Sequence, residues 1–292
     1  MKFTHLHVHS HYSLLDGLPK IDELLDYVKE LGMDSVALTD HGVMYGAVEF
    51  YKKARDKGIK PIIGCEVYMA ERTRFDREPG IDNKRYHLIL LAKNLQGYKN
   101  LIKIVSKANL EGSYYKPRAD MDLLKEYSDG LIALSGCMGG KLSQALLKNN
   151  DELTEKLIHE HQEIFGKENY FIEIQSHPKI ERDRELRDKL VNIAKKFNIP
   201  YVATQDSHYP CKDDHEAHHT LLAINTGTDG KDSTKFEFSE DDFSLIDEDT
   251  ALDYFKDYPE AVANTKLVSD RVEDYKIELG VAHFPKFIIE DG

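Results

Sequence analysis

Residues 3–10 read Phe3-Thr4-His5-Leu6-His7-Val8-His9-Ser10, three imidazoles alternating with apolar side chains. Alternation with a period of two is the pattern of an extended strand, and it points His5, His7 and His9 to one face. A single histidine is more often a satisfied polar group than a ligand. Three in register on one strand are hard to explain as packing, and a neutral imidazole offers the directional lone pair that zinc-type ions take.

Outward from this strand, short β-rich runs at 35–38, 61–69, 88–92, 130–134, 171–174 and 201–203 alternate with amphipathic stretches at 21–31, 47–57, 98–109, 152–165 and 183–197. With residues 3–8 these make seven strand-and-helix units, the pattern of an α/β protein with a parallel sheet. Seven such units suggest a (β/α)7 TIM-like barrel missing one strand. An open doubly wound sheet has the same periodicity, but no glycine-rich dinucleotide fingerprint follows the first strand. Residues 71–85, charged and carrying Pro79-Gly80, and the polar stretch 227–240 read as exposed loops. A last helix ends near Val272, and Phe284-Pro285-Lys286-Phe287 beyond it looks like linker. The expected division is therefore a barrel domain over 1–272 and the start of a linker over 273–292, so the chain reads as a fragment.

Composition narrows the classes. A chain of 292 residues with 41% hydrophobic content can bury a full core. Cys65, Cys137 and Cys211 are too few and too scattered for a disulfide framework, which suits a reducing compartment. No apolar run resembles a signal peptide or a membrane span, so a cytoplasmic protein without a membrane partner is expected. The net charge of −13 argues against gripping a phosphate backbone by charge alone. Nucleic acid would have to be held by metals or by other parts of a longer chain.

Further donors fall near strand ends, where barrel enzymes build their sites. Thr39-Asp40-His41-Gly42 follows the second strand and Gln205-Asp206-Ser207-His208 the last, each pairing a carboxylate with an imidazole; helix capping is the plain alternative for Asp40 and Asp206. Glu66 interrupts the apolar strand Pro61-Ile62-Ile63-Gly64-Cys65-Glu66-Val67-Tyr68, where an unpaired carboxylate would be costly and metal coordination would remove the cost. Cys65 points to the opposite face and reads as packing. Cys137, at the corresponding rim of its strand, is either a small buried residue or a thiolate that completes a zinc shell. Ser10, Arg118 and His177 are candidate substrate contacts and equally plain loop residues, while His11, His215, His218 and His219 read as surface or helix positions.

Taken together with Ser13-Leu14-Leu15-Asp16-Gly17, Tyr86-His87-Leu88 and Ser135-Gly136-Cys137, these motifs occur in an order that resembles the polymerase and histidinol phosphatase (PHP) superfamily. More narrowly, TDHGVMYGAVEFYKKA at 39–54, GIKPIIGCEVYMA at 58–70 and LIALSGC at 131–137 look like the N-terminal PHP domains of bacterial replicative polymerase alpha subunits. The resemblance implies a distorted seven-stranded (β/α)7 TIM-like barrel in which nine ligands hold three divalent ions, and the ligands match His7, His9, Asp16, His41, Glu66, His87, Cys137, Asp206 and His208. Asp16 and His87 rest on the resemblance alone, since Asp16 sits in an ordinary turn sequence and His87 begins its strand; His5 is not required by the family motif. Some polymerases of this type have lost several ligands, and retention of the full set implies a site that still binds metal.

The implied activity is metal-dependent phosphoester hydrolysis, with 3′-to-5′ exonuclease proofreading in the intact polymerase. Glu66 would bridge two ions, and Asp206 and His208 would shape the catalytic rim. Clustered divalent ions suit this chemistry because they neutralise charge on the attacking and leaving oxygens. Mixed imidazole, carboxylate and thiolate donors favour zinc, with manganese and iron fitting most of the same ligands. Two other functions remain open: a metal-stabilised scaffold that docks the rest of the polymerase or a proofreading subunit, and a free-standing histidinol-phosphate phosphatase, which the polymerase-like segments and the trailing linker disfavour. Polymerisation itself, and contact with DNA through it, would belong to the intact chain, because the barrel and its tail consume all 292 residues.

Overall fold

Leu131-Ile132-Ala133-Leu134 and Ser35-Val36-Ala37-Leu38 have no solvent-facing side, and strands buried on both faces need a layer on each. The computed structural model describes residues 3–227, 241–282 and 284, and supplies both layers. Alternate side chains of β1 (Ser35–Leu38), β2 (Lys60–Ala70), β3 (Arg85–Ala92), β6 (Leu131–Leu134), β7 (Tyr170–Ile174) and β8 (Tyr201–Ala203) divide between two cores. Ala37, Ile62, Ile89, Ile132 and Phe171 meet Leu6 in an inner cluster, to which Val268 of α10 (Pro259–Arg271) and Val272 also belong. The alternate residues Val36, Ile63, Leu90 and Ala133 face a larger outer cluster shared with the helices. The helices α1 (Ile21–Glu30), α2 (Ala47–Asp56), α3 (Leu95–Leu110), α6 (Asp151–Phe165) and α7 (Asp183–Phe197) turn their apolar stripes to that outer cluster. The result is an α/β fold with a curled sheet.

The sheet is not wholly parallel, contrary to the reading of seven repeated strand-and-helix units. β1 and β2 run parallel, as do β6, β7 and β8, but β3 is antiparallel to both β2 and β6. The cause is the connection 71–84, which contains no helix and so cannot cross over the sheet. β4 (Ser113–Tyr114) and β5 (Lys116–Ala119) add a small hairpin on the far part of β2, and neither is visible in the apolar periodicity.

Residues 3–8 depart in a second way. They form no regular strand: the chain bends at His7. Backbone bonds nevertheless run to both sides, from Ala37 N to His5 O (2.8 Å) and Thr39 N to Val8 O (2.8 Å), and from His9 N to Ser207 O (2.8 Å) and Ser207 N to His7 O (3.1 Å). The segment therefore lies between β1 and the chain that leaves β8. The bend also corrects the expectation of three histidines on one face. His5 is buried beside Ile246, with Nε2 3.0 Å from its carbonyl oxygen, while His7 and His9 turn the other way into the site. Of the expected loop at 227–240, residues 228–240 lie outside the described residues, as do 283 and 285–292 of the expected linker.

Candidate metal centre

Glu66, in the middle of β2, is wholly buried and collects imidazoles on both carboxylate oxygens. Oε2 lies 2.5 Å from His41 Nδ1 and 3.5 Å from His9 Nε2; Oε1 lies 2.8 Å from His87 Nδ1 and 3.4 Å from His7 Nε2. Cys137 Sγ approaches on the Oε1 side, 3.4 Å from His87 Nδ1 and 3.9 Å from Glu66. Asp206 closes the cluster, with Oδ1 3.0 Å from His7 Nε2, 3.2 Å from His9 Nε2 and 3.7 Å from His208 Nδ1. Asp16 reaches His41 Nε2 at 2.9 Å and His208 Nε2 at 3.8 Å. All nine residues matched to the family ligands thus converge on one place.

Local backbone explains the convergence. The antiparallel course of β3 brings its first residues to the rim formed by the last residues of the parallel strands, which is how His87 arrives there. Gly136 has φ +85°, and a Cβ on it would meet His87 O at 2.4 Å, so the chain passes His87 closely and delivers Cys137 beside it. A Cβ on Gly17 would lie 2.1 Å from Ser10 O, and that close packing folds the 11–17 loop back so that Asp16 faces His41. Asp206 itself adopts φ 53°, a conformation uncommon for a non-glycine residue and a frequent mark of functional sites.

Neighbouring groups set the tautomers. His7 Nδ1 lies 2.7 Å from Glu173 Oε1, which also accepts from Thr204 Oγ1 at 2.6 Å. Ser13 Oγ donates to Asp40 Oδ1 (2.9 Å), so it accepts from His9 Nδ1 (2.9 Å). When neutral, both rings therefore carry their proton away from the cluster and present an Nε2 lone pair to it, the arrangement that ligand histidines adopt. Burial pulls the His7 ring down, but Asp206, Glu173 and Glu66 together raise it well above the ordinary histidine value. Burial and the neighbouring His41 and His208 lower His9 to about 3. Although burial pushes carboxylates up, His87, His41 and His7 hold Glu66 well below its usual range, and His7, His9 and His208 do the same for Asp206.

This donor set fits divalent ions. Glu66 Oε2, Asp206 Oδ1 and His41 Nδ1 are buried without a hydrogen-bond partner despite their close neighbours, which is how ligand atoms are left when nothing lies between them. Three groups of donors, His9 with His41 and His208, His7 with His9 and Glu66, and Glu66 with His87 and Cys137, each bring their ligand atoms within 4.8 Å of one another. His, carboxylate and one thiolate are the ligands of zinc-type sites.

The remaining candidates fare differently. His177 is buried at the edge of the site, with its ring stacked on Phe243. Arg118, a candidate substrate contact or plain loop residue, is wholly buried, and its guanidinium donates to the carbonyls of Gly112, Asp82, Arg74 and Asp76, which uses four of its five N–H donors and ties down the 71–84 loop. Ser10 is likewise buried, and its amide and hydroxyl both donate to Asp40. Asp40 is thus neither a helix cap nor a ligand, but an acceptor that organises Ser10 and Ser13. Cys65 packs on the outer core, as expected from alternation.

Two residues escaped the sequence reading. Glu173 interrupts Tyr170-Phe171-Ile172-Glu173-Ile174 as Glu66 interrupts its own strand, so the same argument from burial cost would have found it. His218, read as a surface or helix position, does lie on a helix, α8 (His215–Thr226), but is buried with its ring 5.6 Å from that of His208.

The sequence pattern of the PHP domain matches residues 5–177. Among curated proteins, the chain is 43% identical over 272 residues to the DNA polymerase III subunit alpha of Treponema pallidum, which covers 93% of this chain and 23% of that protein. It is 40% identical to the corresponding subunit of Borreliella burgdorferi, covering 99% of this chain and 25% of that one, and 46% identical to that of Thermus aquaticus, covering 83% and 20%. The chain therefore spans about a quarter or less of the length of these relatives. Among solved structures, one described as a metal-dependent phosphoesterase from Bifidobacterium adolescentis is similar with a TM-score of 0.48 and 12% identity, covering 88% of this chain and 96% of that one.

Proposed function

This chain belongs to the PHP domain family, and from that membership we propose that it is the N-terminal domain of a bacterial DNA polymerase III alpha subunit and acts there as a metal-dependent phosphoesterase. The observation that carries the reading is Glu66, one buried carboxylate whose two oxygens face His41 and His9 on one side and His87 and His7 on the other. Such a group is suited to bridging ions. His7, His9, Asp16, His41, Glu66, His87, Cys137, Asp206 and His208 would hold three of them, with zinc favoured by the thiolate and imidazoles, and manganese or iron compatible with most of the donors. When bound, the ions supply Lewis acidity, neutralising charge on phosphoryl oxygens and acidifying water.

The chain's own groups do the positioning. Glu173 and the Ser13–Asp40 pair hold the His7 and His9 rings with their lone pairs inward. Asp206 and His208 line the cavity beside the cluster, where a phosphoryl group would arrive, while Asp16 and His87 are the more exposed donors. The backbone bonds of residues 5–9 to β1 and to Ser207 support closure of the curled sheet as a distorted seven-stranded barrel. We assign it residues 1–272 with a linker from 273, whose first residues still touch the barrel through Glu273 N to Lys93 O and through Tyr275. In the intact polymerase the substrate would be the 3′ end of DNA, in the cytoplasm, with the rest of the chain and a proofreading subunit as neighbours.

The test is elemental analysis of the purified chain, beside hydrolysis of bis(p-nitrophenyl) phosphate and of a short DNA, with added zinc or manganese and with chelator. Two or three ions with chelator-sensitive hydrolysis support the reading. Stoichiometric metal without turnover points instead to a metal-stabilised scaffold, and absence of metal removes the ligand assignment.

A further inference from the structure

The cavity that opens on the ligand cluster, about 360 Å³, continues past it into a lobe that the cluster does not use. Its wall there is mainly apolar, built by Met138, Ile180, Leu186, Leu190, Leu222 and Phe243, with Gln175, Asp183, Arg187 and Thr226 as the polar exceptions. Two histidines outside the ligand set line the same space. His177, 2% exposed and stacked on Phe243 at 4.3 Å and 20°, has no hydrogen-bond partner on either ring nitrogen. His218, 5% exposed, has none on Nε2. Leaving a buried polar nitrogen unpaired is unfavourable, and three at one cavity wall call for a solute that pairs with them.

A bare phosphate needs none of this, since the ligand cluster would hold it. An apolar recess with a few convergent polar atoms is what a planar heterocycle requires, its face against hydrocarbon and its edge against hydrogen-bonding groups. We propose that this lobe is a nucleoside pocket, which receives the terminal base of a nucleic-acid strand while its phosphate lies at the ligand cluster. His177 and His218 meet polar atoms of the nucleoside, and the Leu, Ile and Phe243 wall takes the ring. The inference rests on the phosphoesterase reading and adds the part of the substrate that is recognised. A base in its duplex stack cannot enter a recess of this kind, so unpaired ends are taken in preference to paired ones.

Calorimetric titration of the zinc- or manganese-loaded chain with thymidine 5′-monophosphate and with inorganic phosphate tests the proposal. The nucleotide should bind about tenfold or more tightly than phosphate, the scale set by stacking of one base. Leu190→Trp, which fills the lobe, and His177→Ala should each lose that preference while keeping parental metal content. The sequence has no tryptophan, so the new indole also reports nucleotide arrival by its fluorescence. If either variant fails to fold, single strands ending in a normal or an abasic nucleotide give the comparison on the parent chain, and the normal end should bind more tightly. Equal affinity of the parent for nucleotide and phosphate, or for normal and abasic ends, overturns the pocket. Selective binding without hydrolysis of any ester would leave the pocket standing and remove the phosphoesterase reading; hydrolysis without selectivity would do the reverse.

Discussion

Glu66 and Glu173 are both carboxylates buried in otherwise apolar strands, yet they do different work. Glu66 offers both oxygens to the cluster, whereas Glu173 holds His7 by its far nitrogen. Glu66→Gln should therefore strip metal, with elemental analysis showing less than the parent content after dialysis. Glu173→Gln should leave the ligand set intact and weaken metal affinity by about 10–100-fold, the usual cost of losing such a supporting partner. Titration against a competing chelator separates the two, because excess metal should restore the Glu173 variant and not the Glu66 variant. The burial-cost argument found Glu66 and would have found Glu173 had it been applied to that strand. His177 was named only as a possible contact or loop residue and His218 as a surface or helix position, because whether a histidine is buried and unpaired depends on what packs over it.

His161, on α6, shows how one element contributes to pH dependence. It is buried against Tyr170, its Nδ1 donates to Leu157 O at 2.7 Å, and burial lowers it below the ordinary value of 6.5. Between the folded value and 6.5 the unfolded chain binds a proton that the folded chain does not, so stability falls as pH drops below about 6.5. His161→Phe should reduce the loss of melting temperature between pH 7.5 and pH 5 relative to the parent. The turn after β6 carries a second prediction. Gly136→Val forces a branched side chain into φ +85° and against His87 O, which should cost roughly 1–3 kcal/mol or more in denaturant unfolding and loosen metal by moving Cys137. Six of the seven expected strands and the longer helices were legible at this scale, but the hairpin at 113–119, the short helices at 121–127 and 141–147, and the direction of β3 were not. Apolar alternation has no polarity along the chain; the missing helix in 71–84 was the available signal, and it was read simply as a charged loop.

At the scale of the molecule, the proposed ligands are residues 7, 9, 16, 41, 66, 87, 137, 206 and 208, so any ion they shared would join segments that are remote in sequence. An ion that binds the folded chain alone stabilises it by about 2.7 kcal/mol when its concentration is 100 times its dissociation constant. Chelation should accordingly lower the melting temperature, with Cys137→Ala showing a smaller drop than the parent; thermal unfolding with and without chelator measures both. A melting temperature indifferent to chelator would mean that the cluster holds no ion under those conditions.

By itself the sequence determined the α/β class, the core-facing alternation of most strands, and the chemistry available to the site, because burial periodicity and ligand type are properties of short stretches. Tertiary structure alone decided that β3 is reversed and brings His87 to the rim, that His5, Arg118 and Ser10 serve the fold rather than the site, and that His177 and His218 face a cavity. The physical reason is the same in each case. Which partner satisfies a polar group depends on segments tens to hundreds of residues away, and no local pattern records which of them will arrive.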